Sequence, residues 1–409
     1  MTAETDPAKL ATRALELIDP AEIRDLTLDL LRCASENPPP DDGPVEEATV
    51  TALAAACRQR GLDVAVEEAA PGRPNLTARL GPDDVPGLLL LAHTDTVPIG
   101  DGWTVPPLGG TVTGGRVYGR GATDMKGGIA ASVVAMAALR RAAEDLGTAL
   151  PLPVTLAAVA DEEETGIGAR AFTAAGGRYA AAIVAEPTEM QTIRACRGDC
   201  YVEVEVHGAA AHAGDPDTGA SAIYGAARFI EAVRGLHEDH RARPHPLLGP
   251  KTWNVGLVQG GSGTAVVPDG CRVSVDRRLL PGETGDQAAA ELADVLTALR
   301  LDELGVTARS WLGMEMPGFE TPAGHPLVRV AHAASVAAGA PEREVGGWTA
   351  ACDGGFVARD LGVPAIVLGP GSVVDQAHRP DESVGLDELE VAARTYALSA
   401  VRLAGALTG

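Results

Sequence analysis

Short apolar runs that end abruptly in polar residues are the dominant pattern along this chain. Four of them lie at 88–92, 154–160, 181–185 and 365–368. Runs of this length bounded by polar or turn residues are typical of buried strands. Because ligands collect beyond the carboxyl ends of strands in open α/β sheets, we expect the residues that follow these runs to meet at one edge.

Helical periodicity occupies the segments between the runs. Residues 19–22 have the composition of a capping box with proline at the first helical position, and they predict a helix from Pro20. A second helix is predicted over 45–60, and a third over about 129–144, where apolar residues recur at i, i+4 and i+7. Residues 1–18 are expected to be partly loose. Strand, loop and helix alternate, which favours an α/β fold.

The pattern changes near Gly198. From Tyr201 polar and apolar residues alternate, as they do in a half-exposed strand. A helix is predicted over about 220–236 and further strands over 252–258 and 271–277, which indicates an inserted α+β domain. The predicted boundaries are 1–198 and 315–409 for the two parts of the main domain, and 199–314 for the insertion.

Composition narrows the function classes. The 409 residues are enough for two domains, and with 45% hydrophobic but only 3% aromatic residues the core is expected to be aliphatic. The formal net charge of −23 argues against nucleic acid and against anionic membrane surfaces as partners. There is no apolar run of membrane-spanning length, and the N-terminus lacks the regions of a signal peptide. We therefore expect a cytoplasmic protein.

The cysteines are scattered and do not have the density of a disulfide scaffold. Six occur in the chain, as expected for reduced thiols in the cytoplasm. Cys196 and Cys200 have a spacing that could chelate a metal, but the interpretation as ordinary thiols is favoured.

The residues after the apolar runs have the chemistry of metal ligands. Singly, each has a simpler interpretation, such as a structural histidine or a solvated acidic face. Together they favour a cation site, because carboxylates and histidines placed repeatedly after buried strands are costly without a cation to neutralise them. The residues concerned are His93, Asp95, Asp124, Glu162, Glu163, Glu164, Glu186 and His378.

The glycine-rich segment 119–128 around Asp124 has a second interpretation, as a phosphate loop. It contains neither G-x-G-x-x-G nor G-x-x-x-x-G-K-[ST], so this interpretation is weak.

With these motifs in the same order, the chain resembles a di-zinc exopeptidase and deacylase family. That family includes acetylornithine deacetylase, succinyl-diaminopimelate desuccinylase, aminoacylase and bacterial glutamate carboxypeptidase, and the resemblance covers roughly residues 20–400. It implies a zinc-exopeptidase-like catalytic domain, with a mixed sheet flanked by helices, and an inserted α+β domain that acts as a lid and a dimer interface. It also implies two Zn²⁺ ions per subunit, for which Co²⁺ can substitute, and a homodimer.

The resemblance assigns the ligands position by position. His93 and Glu186 would bind one zinc, Glu163 and His378 would bind the other, and Asp124 would bridge both.

Two further roles follow from the same resemblance. Asp95 would hold the imidazole of the first histidine by its second nitrogen. Glu162 would act as the general base on a water held between the metals. The run of glutamates leaves a second register open, in which Glu163 is the base and Glu164 the ligand, but the spacing to the glycines that follow favours the first register.

Two residues of the insertion match family positions that act on the substrate. His212 matches a histidine that stabilises the oxyanion of the tetrahedral intermediate, in several members from the partner subunit. Arg278 matches an arginine that contacts the anionic end of the substrate. The simpler interpretations are a surface-loop histidine and a solvated basic pair.

Some positions depart from the family pattern and limit the choice of substrate. Ala265 stands where relatives carry asparagine, and glycines at 354–355 stand where some amino-acid-releasing relatives carry arginine. Gly369 and Gly371 are predicted to contact substrate, and the segment 369–382 is most similar to acetylornithine deacetylase.

The predicted function is metal-dependent removal of an acyl group from an N-acyl amino acid. The alternatives are a carboxypeptidase or dipeptidase that cleaves a short peptide with the same site, and a catalytically silent member of the fold that binds an amide. The presence of all five ligands, Glu162 and His212 favours catalysis.

Overall fold

Helices and strands alternate through most of the chain, as the periodicity of the sequence indicates. The structure is a computed structural model that describes residues 6–40, 43, 45–82 and 85–407. The strands are β1 (Asp63–Ala70), β2 (Arg73–Leu80), β3 (Gly87–His93), β4 (Thr111–Thr113), β5 (Arg116–Tyr118), β6 (Val154–Val159), β7 (Tyr179–Val184), β8 (Ile193–Cys196), β9 (Gly198–His207), β10 (Thr252–Gly260), β11 (Gly270–Leu279), β12 (Thr307–Met316), β13 (Phe319–Glu320), β14 (Gly346–Trp348), β15 (Ala365–Val367) and β16 (Ser383–Gly385). The helices are α1 (Pro7–Leu17), α2 (Pro20–Leu31), α3 (Glu47–Gln59), α4 (Gly127–Leu146), α5 (Ile167–Ala175), α6 (Ala222–His240), α7 (Gly285–Ala298), α8 (Pro326–Ala338), α9 (Gly354–Asp360) and α10 (Leu386–Leu407).

The chain divides into two compact units. The first contains the chain up to Arg194, Glu320–Gly346 and the chain from Asp353 onward, and the second contains Ala195–Phe319 and Gly347–Cys352. From the sequence, the two main breaks are predicted at 198 and 314, and residues 347–352 are not separated from those around them.

A mixed sheet forms the centre of the first unit. Its strands follow the order β1-β2-β6-β3-β7-β15-β8, in which β6, β3, β7 and β15 are mutually parallel and the flanking pairings are antiparallel. Every residue of β3 and β6 is buried, as expected for parallel strands covered on both faces. The predicted α/β fold with a mixed sheet is confirmed. Because the four apolar runs form the four parallel strands, their carboxyl ends lie along one edge.

Helix α4 packs against this sheet, and 15 of its 20 residues are buried. Ile129, Val133 and Met136 have no exposed surface, in agreement with the periodicity of the sequence. By length and composition alone, Ala122–Leu146 could cross a membrane, but its most apolar window is entirely buried inside the fold. Gly147 ends the helix at φ +60°, a conformation that glycine adopts without strain.

Residues 1–18 are predicted to be partly loose, but Pro7–Leu17 form helix α1. Helix α1 is capped by Asp6, whose carboxylate accepts hydrogen bonds from the backbone N–H groups of Ala8 and Lys9. Leu10 and Ala14 on its inner face are fully buried. The sequence signal for α1 is an Asp-Pro pair at its start, the same pair that predicts α2. Residues 1–5 lie outside the described residues.

The second unit is built on an antiparallel sheet. Its strands follow the order β10-β11-β9-β12, and Val202, Val204 and Val206 on the inner face of β9 are fully buried. Helices α6 and α7 contribute Phe229 and Leu292 to the same core. Strand β10 lies at the edge of the sheet, which leaves one row of its backbone groups without a strand partner in this sheet.

Candidate metal centre

The parallel strands deliver the predicted ligands to one place. His93 is the last residue of β3 and lies beside Val159 of β6, while Leu91 of β3 lies beside Val184 of β7. Glu162 and Glu163 follow β6 by a short turn, and Glu186 follows β7. The three strands therefore bring an imidazole and three carboxylates to the same edge of the sheet.

Asp124 lies between the two histidines. Its Oδ1 is 3.1 Å from His93 Nε2, and its Oδ2 is 3.3 Å from His378 Nε2. His93 Nε2 is also 3.6 Å from Glu186 Oε1, and His378 Nε2 is 3.3 Å from Glu163 Oε2. Each oxygen of Asp124 thus faces one histidine, and each histidine faces one further carboxylate.

This donor set has the chemistry of a metal centre. Imidazole nitrogens and carboxylate oxygens are ligands for zinc and similar metals. Two groups place their ligand atoms within 4.8 Å of one another: His93, Asp124 and Glu163 form one, and His93, Glu162 and Glu186 form the other. The site contains more carboxylates than imidazoles and is largely buried. Bound cations would therefore compensate an excess of negative charge.

The ionisation of the site reflects that excess. Burial, followed by the charges of Glu186, Asp353 and Glu163, raises the pKa of Glu162 well above its usual range, against the opposing effect of His93. Hydrogen bonds to Asp124 and then Glu163 raise the pKa of His378 to about 10. Both shifts have the direction expected where buried carboxylates outnumber the positive charges.

Asp95 holds both the first histidine and the backbone of the glutamates. It is fully buried. Its backbone carbonyl oxygen is 3.0 Å from His93 Nδ1, and its Oδ1 is 3.4 Å from the same nitrogen. The same Oδ1 accepts a hydrogen bond from the N–H of Glu162 at 3.1 Å, and Oδ2 accepts one from the N–H of Glu163 at 3.1 Å. The carboxylate of Asp95 therefore contacts the ring of one candidate ligand and the backbone of two more site residues.

Sequence reasoning missed the carboxylate that supports Asp124. Glu382 is 1% exposed, and its Oε1 accepts hydrogen bonds from the N–H groups of Thr123 at 2.9 Å and Asp124 at 3.0 Å. Its Oε2 is 2.5 Å from Nη1 of the buried Arg120. Arg120 lies in the segment 119–128 and Glu382 in the segment 369–382. The sequence signal that could have identified them is a charged residue among glycines and prolines, close to a candidate ligand.

Asp353 is a second missed residue. It is 2% exposed, and neither of its carboxylate oxygens has a hydrogen-bond partner among the described residues. It precedes α9 but its side chain does not cap that helix. Burial, with the charges of Asp95 and Asp161, raises its pKa to about 8, although the charge of His93 opposes the rise.

The glycines predicted to contact substrate are closely packed in the structure. A Cβ on Gly369 would lie 2.2 Å from the carbonyl oxygen of Ala185, and one on Gly371, at φ +87°, would lie 2.7 Å from Thr123 Oγ1. Position 369 therefore needs glycine for its packing against Ala185, and position 371 needs it for its packing against Thr123. Their contact with substrate stays a prediction.

His212 and Arg278 lie in the second unit. His212 is exposed, its backbone pairs with Val266, and its Nδ1 accepts a hydrogen bond from the N–H of Gly214 at 3.0 Å. The guanidinium of Arg278 is 3.0 Å from Asp276 Oδ2 and 3.4 Å from Asp199 Oδ2. Their roles toward substrate stay predictions.

The cysteine pair considered as chelator is packed in the interior. Cys196 and Cys200 are both fully buried, and Cys196 Sγ is 3.7 Å from Cys352 Sγ. The groups able to hold a metal in the described part of the chain contain neither Cys196 nor Cys200.

Comparison with known proteins places this chain in a family. The chain is 38% identical over 308 residues to an acetylornithine deacetylase of Myxococcus xanthus, across 74% of this chain and 76% of that protein.

Solved structures share the fold. An M20 family metallo-carboxypeptidase from Sulfolobus solfataricus matches with a TM-score of 0.78 at 18% identity, over 94% of this chain and 99% of that one. A dinuclear metal-binding M20 peptidase from Bacillus subtilis matches with a TM-score of 0.69 at 16% identity, over 93% and 97% of the two chains.

The model of the peptidase family M20/M25/M40 matches residues 89–402, which confirms the resemblance inferred from the motifs. The chain therefore belongs to the peptidase family M20/M25/M40 and is a hydrolase that acts on amide bonds.

Proposed function

We propose that this chain removes the acyl group from an N-acyl amino acid, as a deacylase of the acetylornithine deacetylase type. The observation that carries the proposal is the identity of 38% to an acetylornithine deacetylase over three quarters of the chain, with the candidate metal centre inside the matched family region. The substrate is a small linear amide, and the site cleaves its C–N bond to release a carboxylate and an amine.

The proposed cofactors are two Zn²⁺ ions per subunit, which Co²⁺ can replace. His93 and Glu186 would hold one ion, Glu163 and His378 would hold the other, and Asp124 would contribute to both. The opposed contacts of the Asp124 oxygens, 3.1 Å to His93 Nε2 and 3.3 Å to His378 Nε2, support this division. When bound, such ions polarise the amide carbonyl and make water more acidic.

Glu162 is the proposed general base. Its carboxylate lies within reach of His93 and Glu186. It takes a proton from the attacking water and returns it to the nitrogen of the leaving amine, so the carboxylate is regenerated in each cycle. Asp95 keeps the Glu162 backbone in place during both transfers, through the hydrogen bond from the Glu162 N–H to Asp95 Oδ1.

The second unit is proposed to complete the site and to form a homodimer. His212 stabilises the oxyanion that develops on the substrate carbonyl, and Arg278 contacts the anionic end of the substrate. The edge strand β10 carries Leu257 and Val258, 60% and 51% exposed, and exposed apolar edge strands favour pairing with another chain. The protein is proposed to work in the cytoplasm, where its six cysteines, none of which forms a disulfide, would stay reduced.

The decisive experiment for the reaction is amine release from a panel of N-acyl amino acids and dipeptides by the zinc-loaded enzyme. N-acetylornithine and other N-acyl amino acids should be hydrolysed faster than the dipeptides. Faster hydrolysis of dipeptides would replace the deacylase with a dipeptidase, and hydrolysis of neither class would refute the proposal.

Three glutamine variants assign the base. Glu162→Gln should lower kcat by about 10²–10⁴-fold with two metal ions retained, because general-base catalysis contributes about this much. Glu163→Gln should lose metal, and the exposed Glu164→Gln is the matched control in the same turn. If Glu163→Gln keeps both ions without activity while Glu162→Gln is active, the register of the three glutamates is shifted by one residue.

Dimer formation has its own test. Leu257→Asp on the edge strand should yield monomers in analytical ultracentrifugation. Val112→Asp, which changes a similarly apolar residue 44% exposed in the first unit, should leave the mass unchanged. A monomeric wild type would refute the homodimer.

A further inference from the structure

A buried polar network lies behind the turn that carries the proposed base. We define the acidic turn as residues 161–165, which connect β6 to α5. The side chain of Asn37, 3% exposed, donates from Nδ2 to Asp95 Oδ2 and to Asp161 Oδ1, each at 2.9 Å. One amide group therefore connects the first residue of the acidic turn to the carboxylate beside His93.

Arg73 completes the network from strand β2. Its Nη2 is 2.8 Å from Asp161 Oδ1 and 2.6 Å from Glu46 Oε1, and its Nη1 donates to Asn37 Oδ1 at 3.4 Å. Glu46 has no exposed surface and accepts a hydrogen bond from the N–H of Asp161 at 3.2 Å. Asn37 and Arg73 therefore bind the side chain of Asp161, and Glu46 binds its backbone N–H.

The backbone at Asp161 needs this support. Its φ is +66°, in the left-handed region that side-chain-bearing residues rarely adopt. Its carbonyl oxygen accepts hydrogen bonds from the N–H groups of Thr165 at 3.2 Å and Gly166 at 2.6 Å, which close the acidic turn. Residues in such conformations persist when surrounding contacts determine them, and they concentrate at functional sites.

Stability alone is a poor explanation for the network. It contains three buried carboxylates, on Glu46, Asp95 and Asp161, and a single guanidinium. Desolvation of buried ion pairs often cancels their attraction, so apolar residues of similar volume would stabilise the fold as well. The network instead includes the carboxylate of Asp95, whose oxygens accept hydrogen bonds from the N–H groups of Glu162 and Glu163.

We propose that Asn37 and Arg73 are positioning residues for this centre. They act through Asp95 and Asp161, which fix the backbone of Glu162 and Glu163 and so aim one carboxylate at the attacking water and the other at a metal ion. The role of Glu162 rests on the proposed function, whereas the effect on the ligand Glu163 can be measured without any substrate.

The test uses isosteric and conservative variants. Asn37→Asp keeps the shape but places an acceptor against Asp95 and Asp161, Arg73→Met removes the charge, and Arg73→Lys keeps it. Asn75→Asp is the matched control, because Asn75 is 7% exposed and its hydrogen-bond partners within the described part of the chain are backbone groups, the Ala160 N–H and the Gly168 carbonyl. The measurements are zinc affinity of the apo-protein by chelator competition, thermal midpoint without metal, and kcat and KM.

Asn37→Asp and Arg73→Met should weaken zinc binding or lower kcat by about 10–100-fold, the usual effect of losing a residue that orients metal ligands. KM should change little, and Arg73→Lys should recover part of the loss. Asn75→Asp should lower the thermal midpoint while zinc affinity and kcat stay near wild type.

Two results would overturn the inference. One is wild-type zinc affinity and kcat in folded Asn37→Asp and Arg73→Met, and the other is equal losses in Asn75→Asp. If the wild type hydrolyses no substrate on the panel, the proposed function fails, and zinc affinity alone still decides whether the network positions the ligands.

Discussion

The buried ion pair of Arg120 and Glu382 allows a quantitative test of how the Asp124 turn is held. The two side chains are 3% and 1% exposed, and Arg120 Nη1 is 2.5 Å from Glu382 Oε2. Arg120 Nη2 also donates to the carbonyl oxygens of Pro98 at 3.2 Å and Ile99 at 3.1 Å. The perturbation is Arg120→Met, which keeps much of the buried stem and removes the charge and its donors.

The expected loss of unfolding free energy is large because Glu382 remains buried without its partner. Removing one partner of a buried pair leaves an uncompensated charge and typically costs about 3–5 kcal/mol of unfolding free energy. Glu382 still accepts the N–H groups of Thr123 and Asp124, so its carboxylate cannot turn away toward solvent without releasing them. The double variant Arg120→Met/Glu382→Gln removes the unpaired charge and should recover part of this loss.

Urea unfolding of the metal-free protein measures the effect. The control is Arg13→Met, because Arg13 pairs with Asp145 on the surface, where the side chains are 39% and 46% exposed, and exposed pairs contribute little. If Arg120→Met is no more destabilised than Arg13→Met, the claim that a buried pair holds the Asp124 turn is wrong.

Three further outcomes are expected. Chelation should abolish turnover and zinc or cobalt should restore it, and a fully active preparation with fewer than about one and a half metal equivalents per chain would contradict the two-ion mechanism. His212→Ala should bind metal normally and lose most of its kcat, since losing one oxyanion donor costs about 10²–10³-fold. Mixing it with Asp124→Ala should restore activity if His212 acts across a dimer, and no recovery after proven subunit exchange would exclude that. Burial raises the pKa of Asp199 to about 7, partly opposed by Arg278. Its contribution to stability should therefore be lost as pH rises from about 4 to about 7. The unfolding free energy of Asp199→Asn relative to wild type should increase over that range, and a constant difference would contradict the raised pKa.

The parallel strands and the candidate ligands were predictable because two local signals coincide there. The apolar runs that became β3, β6, β7 and β15 are continuous rather than alternating, as strands buried on both faces require. Polar residues directly after such runs must lie at the carboxyl edge, so chain position alone brings His93 and Glu186 together. No long-range information is needed for this inference.

The supporting residues were not predictable in the same way. Asn37, Arg73 and Glu46 come from three separate segments, and their relation to Asp161 exists only after the sheet and helices have packed. Each alone has the appearance of an ordinary polar residue near a turn. The segment 347–352 gives no sign of its place in the second unit for the same reason, since its neighbours are distant in sequence.

Two carboxylates that are not proposed ligands support the centre in the same manner. Asp95 accepts the N–H groups of Glu162 and Glu163, and Glu382 accepts those of Thr123 and Asp124. Asp95 and Glu382 bind backbone N–H groups and not the side-chain carboxylates of the ligands. The carboxylate oxygens of the ligands therefore stay available for cations. A backbone held in this way limits how far mutual repulsion can separate the ligand carboxylates. The site can therefore keep its acidic groups close together before a cation arrives, which reduces the reorganisation that binding requires.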